Sequence, residues 1–208
     1  NNANKSYAMT AAFCISLFLL STIYRVYQFT KTRDPVKYMD TVIVQQNTDD
    51  WIDGTDKNGI LISQDLTTKA ISDNENKPDI VLWSELVLTY VYFPNYYEEF
   101  FEYPEEKPLL PFIRKTGVPF IIGGYVRFPR EHREYGNSAI YFDKDGKYMG
   151  YSAKTRLVPF AELIPYADKP WMRNFMQKLV GFSNSWTPGK ELRLFYVPLK
   201  SGGDVKIS

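Results

Sequence analysis

The chain begins with a long apolar run and then changes to shorter, mixed segments. Between Ser6 and Tyr24, 19 consecutive residues carry no charged side chain. As a helix this run would extend roughly 28 Å, close to the ~30 Å hydrocarbon core of a bilayer. The pattern predicts one membrane-spanning helix. A buried core helix and a signal peptide are the alternatives; signal cleavage is disfavoured because the residues from Ile23 to Tyr27 are bulky where a cleavage site needs small ones.

After a basic, polar connector, short apolar runs rich in β-branched and aromatic residues alternate with turns. Such runs predict strands, and several are apolar on both faces, as in a sheet that is covered on both sides. We therefore predict an α/β domain. The predicted strands are Thr41 to Gln45, Ile80 to Trp83, Pro119 to Gly123, Ser138 to Phe142, Lys147 to Ser152, Leu192 to Val197, and one beginning at Val205.

Two aromatic-rich stretches have helical spacing. In Phe93 to Phe101 the aromatic residues recur every three or four positions, with glutamates on the other face. In Trp171 to Leu179 the apolar residues do the same, with Pro170 near the predicted helix start. Core packing is the simplest interpretation of both stripes. The alternative is that part of one stripe faces lipid or an acyl-binding groove.

Charge and composition exclude several classes of protein. The 208 residues contain 25 Lys+Arg and 24 Asp+Glu, and the chain has no basic block of the kind that binds nucleic acid. A hydrophobic content of 44% is enough for a sizeable core. The single cysteine, Cys14, excludes an internal disulfide framework, and with the single His132 it cannot build a Cys/His metal site. We therefore expect no metal and no cofactor.

Two segments carry residues typical of catalysis, DIVLWSEL from Asp79 to Leu86 and YSAKTRLVPFAELIP from Tyr151 to Pro165. Together they resemble two of the three signature blocks of the nitrilase, or carbon–nitrogen hydrolase, superfamily. The LVPFAE run most resembles the apolipoprotein N-acyltransferase family. The resemblance implies an α/β fold, a nitrilase-like α-β-β-α sandwich that is only partly present, preceded by one transmembrane helix.

The resemblance also implies the site residues. Glu85 matches the general base, Lys154 the catalytic lysine, and Glu162 the glutamate that ends the second block. Acyl transfer through a thiol needs a base for the thiol proton and a cation for the developing oxyanion, which explains these residue types. The chain departs from the family pattern at Ser84, where Pro is common, and at Ala161, where Gly is usual.

In the resembled family a phospholipid donates a fatty acyl chain, through a cysteine thioester, to the α-amine of the diacylglyceryl-cysteine that begins a bacterial lipoprotein. The expected partners are therefore phospholipid, lipoprotein and membrane. The expected location is the inner membrane, with the catalytic domain on the periplasmic face. Basic residues after the span, such as Arg25 and Lys31, would by themselves favour the cytoplasm, but upstream helices usually dominate topology.

We divide the chain into a transmembrane helix with flanks at 1–27, a connector at 28–40, and the N-terminal portion of a catalytic domain at 41–208. The family's nucleophilic cysteine is absent and is expected after Ser208, because Cys14 lies in the apolar run. The 208 residues should therefore be inactive alone. Two alternatives stay open: a membrane-tethered amidase or nitrilase that uses the same Glu and Lys, and a non-catalytic domain that keeps the fold.

Overall fold

The computed structural model describes residues 2–31, 37–47, 56–92, 97–128, 135–166, 168–181 and 186–207. The chain divides into two compact units, Asn1–Tyr38 and Met39–Ser208. The first unit contains helix α1 (Asn2–Thr30). Within α1, Lys5–Thr30 is long and apolar enough to cross a membrane, judged by length and composition. The helix continues past Tyr24, where the uncharged run ends.

The second unit is built on a five-stranded mixed sheet and a two-stranded hairpin. The sheet has the order β1-β2-β3-β4-β5; β1, β2 and β3 run parallel, and β4 and β5 continue antiparallel. All the predicted strands are present, although β2, β3 and β4 extend beyond the predicted ranges and β6 begins later. The strands are β1 (Thr41–Val44), β2 (Ile80–Tyr92), β3 (Phe120–Arg127), β4 (Tyr135–Phe142), β5 (Tyr148–Ala153), β6 (Phe195–Pro198) and β7 (Asp204–Ile207).

Three α-helices and one 3-10 helix accompany the strands of this unit in the described ranges. They are α2 (Asp56–Ser72), the 3-10 helix Tyr97–Phe101, α3 (Leu109–Thr116) and α4 (Pro170–Val180). Helix α3 ends at Gly117, whose φ of 64° is the left-handed conformation that closes a helix. The apolar pattern does not predict α2, because fully buried polar residues line its inner face: Ser63, Gln64 and Thr67.

The two faces of the sheet pack against different layers. One face, which includes Trp83 and Phe120, forms a core with residues of α2 and α3 such as Ile60 and Ile113. Side chains alternate along a strand, so neighbouring residues point to the opposite face. There Ile80, Ile121 and Tyr141 pack against Phe195 and Val197 of the hairpin. The order of layers is therefore helices, sheet, hairpin, as expected for part of a nitrilase-like sandwich.

Of the two aromatic stripes, the one in α4 differs from the core-packing prediction. In α4, Met176 is buried, but Trp171, Phe175 and Leu179 are 62%, 53% and 64% exposed. Core packing is therefore the wrong interpretation for most of this stripe. Of the other stretch, residues 93–96 lie outside the described residues, and 97–101 forms a 3-10 helix in which Phe100 is buried.

Candidate active site

Glu85 lies where β2 loses its regular pairing with β3. Along β2 the chain advances from Trp83 to Leu88, while its partner advances only from Ile122 to Gly124. The extra residues must bulge out of the ladder, and a bulge redirects the side chain it carries. The Glu85 side chain is 58% exposed as a result.

Two features allow this bulge to form. Leu86, the next residue, has a φ of 63°, which residues other than glycine adopt at a cost of about 1 kcal/mol. On β3, Gly123 has no side chain, and a Cβ there would lie 2.5 Å from the Ser84 carbonyl oxygen and 2.6 Å from the Glu85 Cα. The backbone of the bulge therefore packs directly on Gly123. The absence of a side chain at Gly123 thus helps to position Glu85.

Lys154 and Asn137 reach the same end of the sheet from two neighbouring strands. Lys154 follows the last residue of β5, and its backbone N–H donates to the Asn137 carbonyl oxygen at 2.8 Å. The Asn137 side chain, on β4 and only 6% exposed, donates its amide N–H to Glu85 Oε1. The Lys154 Nζ lies 3.9 Å from that same carboxylate oxygen.

Glu162 completes the group from a tight turn that follows Lys154. The Val158 carbonyl oxygen accepts hydrogen bonds from the backbone N–H groups of Ala161, Glu162 and Leu163. Each carboxylate oxygen of Glu162 has its own donor: the Lys154 Nζ at 2.8 Å to Oε1 and the Val158 N–H at 2.8 Å to Oε2. The Glu162 side chain is 15% exposed, so this carboxylate is held on both oxygens and largely shielded from water.

Contact between Lys154 and Glu162 favours the charged form of both side chains. The hydrogen bond to Glu162 raises the pKa of Lys154 above 10.5; desolvation opposes this shift, and the charges of Glu162 and Glu85 add to it. Burial by itself would raise the pKa of Glu162, but hydrogen bonds from Lys154 and Val158 outweigh it and lower that pKa below 4.5. At neutral pH the site therefore contains an ammonium group and a carboxylate in a charge-assisted hydrogen bond.

All three residues singled out from the sequence meet in space. Lys154 stands between Glu162, which it contacts closely, and Glu85, which is farther away. Lys154 itself is partly open, with 36% of its side chain exposed. The arrangement offers a fixed cation, a carboxylate that holds it, and a second carboxylate that is accessible, which suits acid–base and oxyanion chemistry at a carbonyl carbon.

The two departures from the family pattern fit the local structure. The Ser84 hydroxyl donates to Gln46 Oε1, a contact that links the end of β1 to the bulge and that proline could not make. In the turn, the positive φ falls on Phe160, at 63°, while Ala161 has none. Alanine at 161 therefore does not strain the backbone.

Sequence reasoning missed the roles of Asn137 and Gly123. Gly123 ends one segment that was predicted only as a strand, Asn137 immediately precedes another, and neither residue type by itself indicates a site. A polar residue and a glycine within apolar strands were the available signals, because strand interiors favour neither. Among the described residues, no group of three or more His, Cys, Asp or Glu side chains is arranged to hold a metal ion.

Comparison with known proteins identifies the family to which the chain belongs. Residues 43–202 match the family described as Carbon-nitrogen hydrolase. A protein named Apolipoprotein N-acyltransferase 2 from Treponema denticola is 36% identical over 94% of this chain and 37% of its own length. A protein of the same name from Treponema pallidum is 29% identical over 92% of this chain and 38% of its own length. The chain thus spans well under half the length of these curated relatives.

Solved structures overlap with the chain at lower similarity. The carbon-nitrogen hydrolase from Helicobacter pylori G27 has a TM-score of 0.47 and 20% identity, covering 79% of this chain and 49% of that one. An amidase from Nesterenkonia sp. has a TM-score of 0.49 and 15% identity, covering 85% of this chain and 57% of that one.

Proposed function

Because the chain belongs to the carbon–nitrogen hydrolase family, we propose that it is part of a membrane-bound enzyme that transfers a fatty acyl chain from a phospholipid to the N-terminal amine of a lipoprotein. The observation that carries the proposal is the position of Lys154 between a shielded and an accessible carboxylate. The similarity to proteins named apolipoprotein N-acyltransferase, across more than nine-tenths of the chain, supports this substrate class over a soluble amide.

In the first half-reaction, Glu85 takes the proton of a cysteine thiol, and the thiolate attacks the ester carbonyl carbon of the phospholipid. The Lys154 ammonium stabilises the oxyanion that develops on the carbonyl oxygen, held in place by Glu162. The ester C–O bond then breaks, and the lysophospholipid alkoxide leaves with the proton from Glu85. Cys14 lies in α1, so the proposal takes the thiol from a cysteine outside the 208 residues.

In the second half-reaction, the lipoprotein α-amine attacks the thioester carbonyl carbon. Glu85 accepts a proton from the amine nitrogen, and Lys154 again stabilises the oxyanion. The C–S bond breaks, the thiolate recovers the proton, and an amide remains. The same base and the same cation therefore serve both steps, which is consistent with one accessible carboxylate beside one fixed ammonium.

The proposed reaction also assigns a role to the exposed apolar stripe of α4. Trp171, Phe175 and Leu179 recur every four residues and present an apolar face, with Lys178 at its edge and Arg173 on the opposite side of the helix. In the proposal this face contacts lipid or the acyl chain and reduces the access of water, which would otherwise hydrolyse the thioester. The apolar helix α1 would anchor the catalytic domain, at 41–208, to the periplasmic face of the inner membrane, with 28–40 as the connector.

The decisive experiment follows the acyl-enzyme in the full-length protein. We expect Lys154→Ala to abolish lipid-dependent thioester formation while expression stays near normal. Lys144→Ala is a matched control, because Lys144 is an exposed lysine in the β4–β5 turn that pairs only with its neighbour Asp145 among the contacts described. Thioester formed by Lys154→Ala at the wild-type rate would contradict the proposal.

Three further measurements separate the alternatives. Rapid hydrolysis of soluble amides, without acyl transfer from phospholipid, would indicate an amidase. A full-length sequence that has no cysteine in the residues following Ser208 would overturn the enzyme assignment. Protection of the domain from protease in intact spheroplasts would contradict the periplasmic location.

For the α4 stripe, the test variant replaces Trp171, Phe175 and Leu179 with serine. We expect slower thioester formation per folded molecule. Loss of stability with unchanged thioester formation would contradict a role of the stripe in lipid or acyl-chain binding.

A further inference from the structure

A short segment after α4 crosses the candidate site and contacts it through the backbone. Residues 186–189, here called the strap, donate three hydrogen bonds of 2.9 Å each. Trp186 N–H donates to the Glu162 carbonyl oxygen, Thr187 N–H to Tyr135, and Gly189 N–H to Lys154. One four-residue segment therefore ties together the backbones of the two residues that form the ion pair.

The strap lies very close to the end of β5. A Cβ on Gly189 would be 2.5 Å from the Ala153 carbonyl oxygen and 2.9 Å from the Ala153 Cβ. A Cβ atom does not pack closer than 3.0 Å to atoms of another segment, so only glycine allows the strap to approach at this point. The residue it presses against is the one immediately before Lys154.

The other end of the strap is anchored by an aromatic pair. The Trp186 ring packs on the Tyr125 ring with centroids 4.6 Å apart and planes inclined by 33°. Tyr125 on β3 pairs directly with Asn137 on β4. Directly paired residues on antiparallel strands project from the same face with their Cβ atoms about 5 Å apart. The aromatic pair is thus the lateral neighbour of the asparagine that donates to Glu85.

We propose that Trp186 is a positioning residue: packed on Tyr125, it holds the strap against the site, and the strap keeps Lys154 and Glu162 at hydrogen-bond distance. The inference rests on the proposed roles of those two residues. Lys154 ends a strand and Glu162 lies in a turn, so the chain between them does not by itself maintain a side-chain contact of 2.8 Å. Removing the indole frees the strap, and the ion pair then samples longer distances.

The test measures Lys154 directly, without relying on activity. In the full-length protein carrying ¹³Cε-labelled lysine, the Lys154 signal is assigned by comparison with Lys154→Arg and titrated with pH. We expect Trp186→Ala to lower the pKa of Lys154 toward the ordinary lysine value, because the hydrogen bond that Lys154 donates to Glu162 is the main cause that raises it. Trp186→Phe should restore the wild-type titration, since it keeps an aromatic ring on Tyr125.

Two controls make the outcome specific. Trp171→Ala is the matched change, since this tryptophan is 62% exposed on α4, and it should leave the Lys154 titration unchanged. If Trp186→Ala does not fold, Trp186→Leu replaces it, because leucine retains apolar bulk without the ring. An unchanged Lys154 titration in a folded Trp186→Ala or Trp186→Leu variant would overturn the proposal.

Kinetics provide a second readout. We expect Trp186→Ala to lower the kcat of thioester formation on the order of 10- to 100-fold with little change in the KM for lipid, as displacement of a catalytic group does. A rise in KM alone would overturn the positioning role in favour of lipid binding. Failure of the acyltransfer proposal would leave the Lys154 titration result intact, so the two ideas are separable.

Discussion

The two carboxylates of the site are built in opposite ways. Glu162 is held by its own turn, with both oxygens occupied and 15% of the side chain exposed. Glu85 is held by distant parts of the chain, through a bulge packed on Gly123 and the Asn137 amide. Its side chain is 58% exposed.

The difference in exposure and hydrogen bonding suits Glu162 and Glu85 to different roles. A carboxylate that is shielded and doubly hydrogen-bonded keeps its negative charge and holds an ammonium group in place. The open carboxylate, with the ammonium 3.9 Å away, is accessible to a substrate and is the one to which our proposal assigns the role of base. The same residue type therefore serves as a structural counter-ion in one place and as a candidate base in the other.

The largest expected effect comes from removing the accessible carboxylate. Glu85→Gln should slow thioester formation by about 10²- to 10⁴-fold, the contribution typical of a general base. The melting temperature should change little, because the side chain is mostly exposed. Both quantities are measured on the same preparation of the full-length protein, and wild-type thioester formation by Glu85→Gln would remove the distinction between the two carboxylates.

The next largest effect is expected from Gly123→Ala, which tests how Glu85 is positioned. Gly123→Ala places a Cβ against the bulge and should destabilise the protein by about 1–3 kcal/mol, the range for overpacking, while also slowing thioester formation. Thermal unfolding and the thioester assay report the two effects. Gly181→Ala is the control: Gly181 also gains a Cβ and has a φ of 80°, but in the described part of the chain no atom beyond its immediate backbone neighbours lies within 4 Å, so only stability should fall. Equal activity in both variants would show that the bulge tolerates displacement.

A smaller effect is expected at the shielded carboxylate, and it depends on pH. The pKa of Glu162 is lowered in the folded state, so its contribution to stability is present above pH 4.5 and is lost as pH falls through the folded-state pKa. Glu162→Gln should cost about 1–3 kcal/mol at pH 7, because it leaves Lys154 without its nearest charged partner. It should also flatten the fall in melting temperature as the pH drops below 4.5. Parallel pH curves for wild type and Glu162→Gln would contradict the assigned ion pair.

The smallest effect concerns the link between the bulge and β1. Ser84→Ala removes the hydroxyl that donates to Gln46 and should cost about 0.5–1.5 kcal/mol, the net value of one hydrogen bond. Thioester formation should stay within a few-fold of wild type, because Gly123 and Asn137 still place Glu85. Gln46→Ala should give a similar loss of stability; a loss of activity as large as that of Glu85→Gln would mean that this link, and not Gly123, positions the base.

Much of the fold was predictable because its strands are short apolar runs bounded by turn residues. The predicted ranges for β1, β3 and β5 lie within one to a few residues of the observed ones. Errors arose where tertiary packing overrides local pattern. Helix α2 buries Ser63, Gln64 and Thr67, and the last of these is buried because its hydroxyl accepts a hydrogen bond from Trp83 Nε1. Helix α4 shows the opposite deviation from the pattern, because most of its apolar stripe is exposed.

The sequence by itself determined the α/β class and the apolar N-terminal segment, and it identified Glu85, Lys154 and Glu162 as candidate site residues. These features follow from hydrophobic periodicity and from the order of the motifs, which can be read directly from the sequence. Only the tertiary structure decided that Glu162 is shielded and Glu85 open, and that Gly123, Asn137 and the strap hold them in place. The physical reason is that burial and hydrogen-bond distance depend on residues far apart in sequence. Asn137 and Glu85, whose side chains meet, are 52 positions apart.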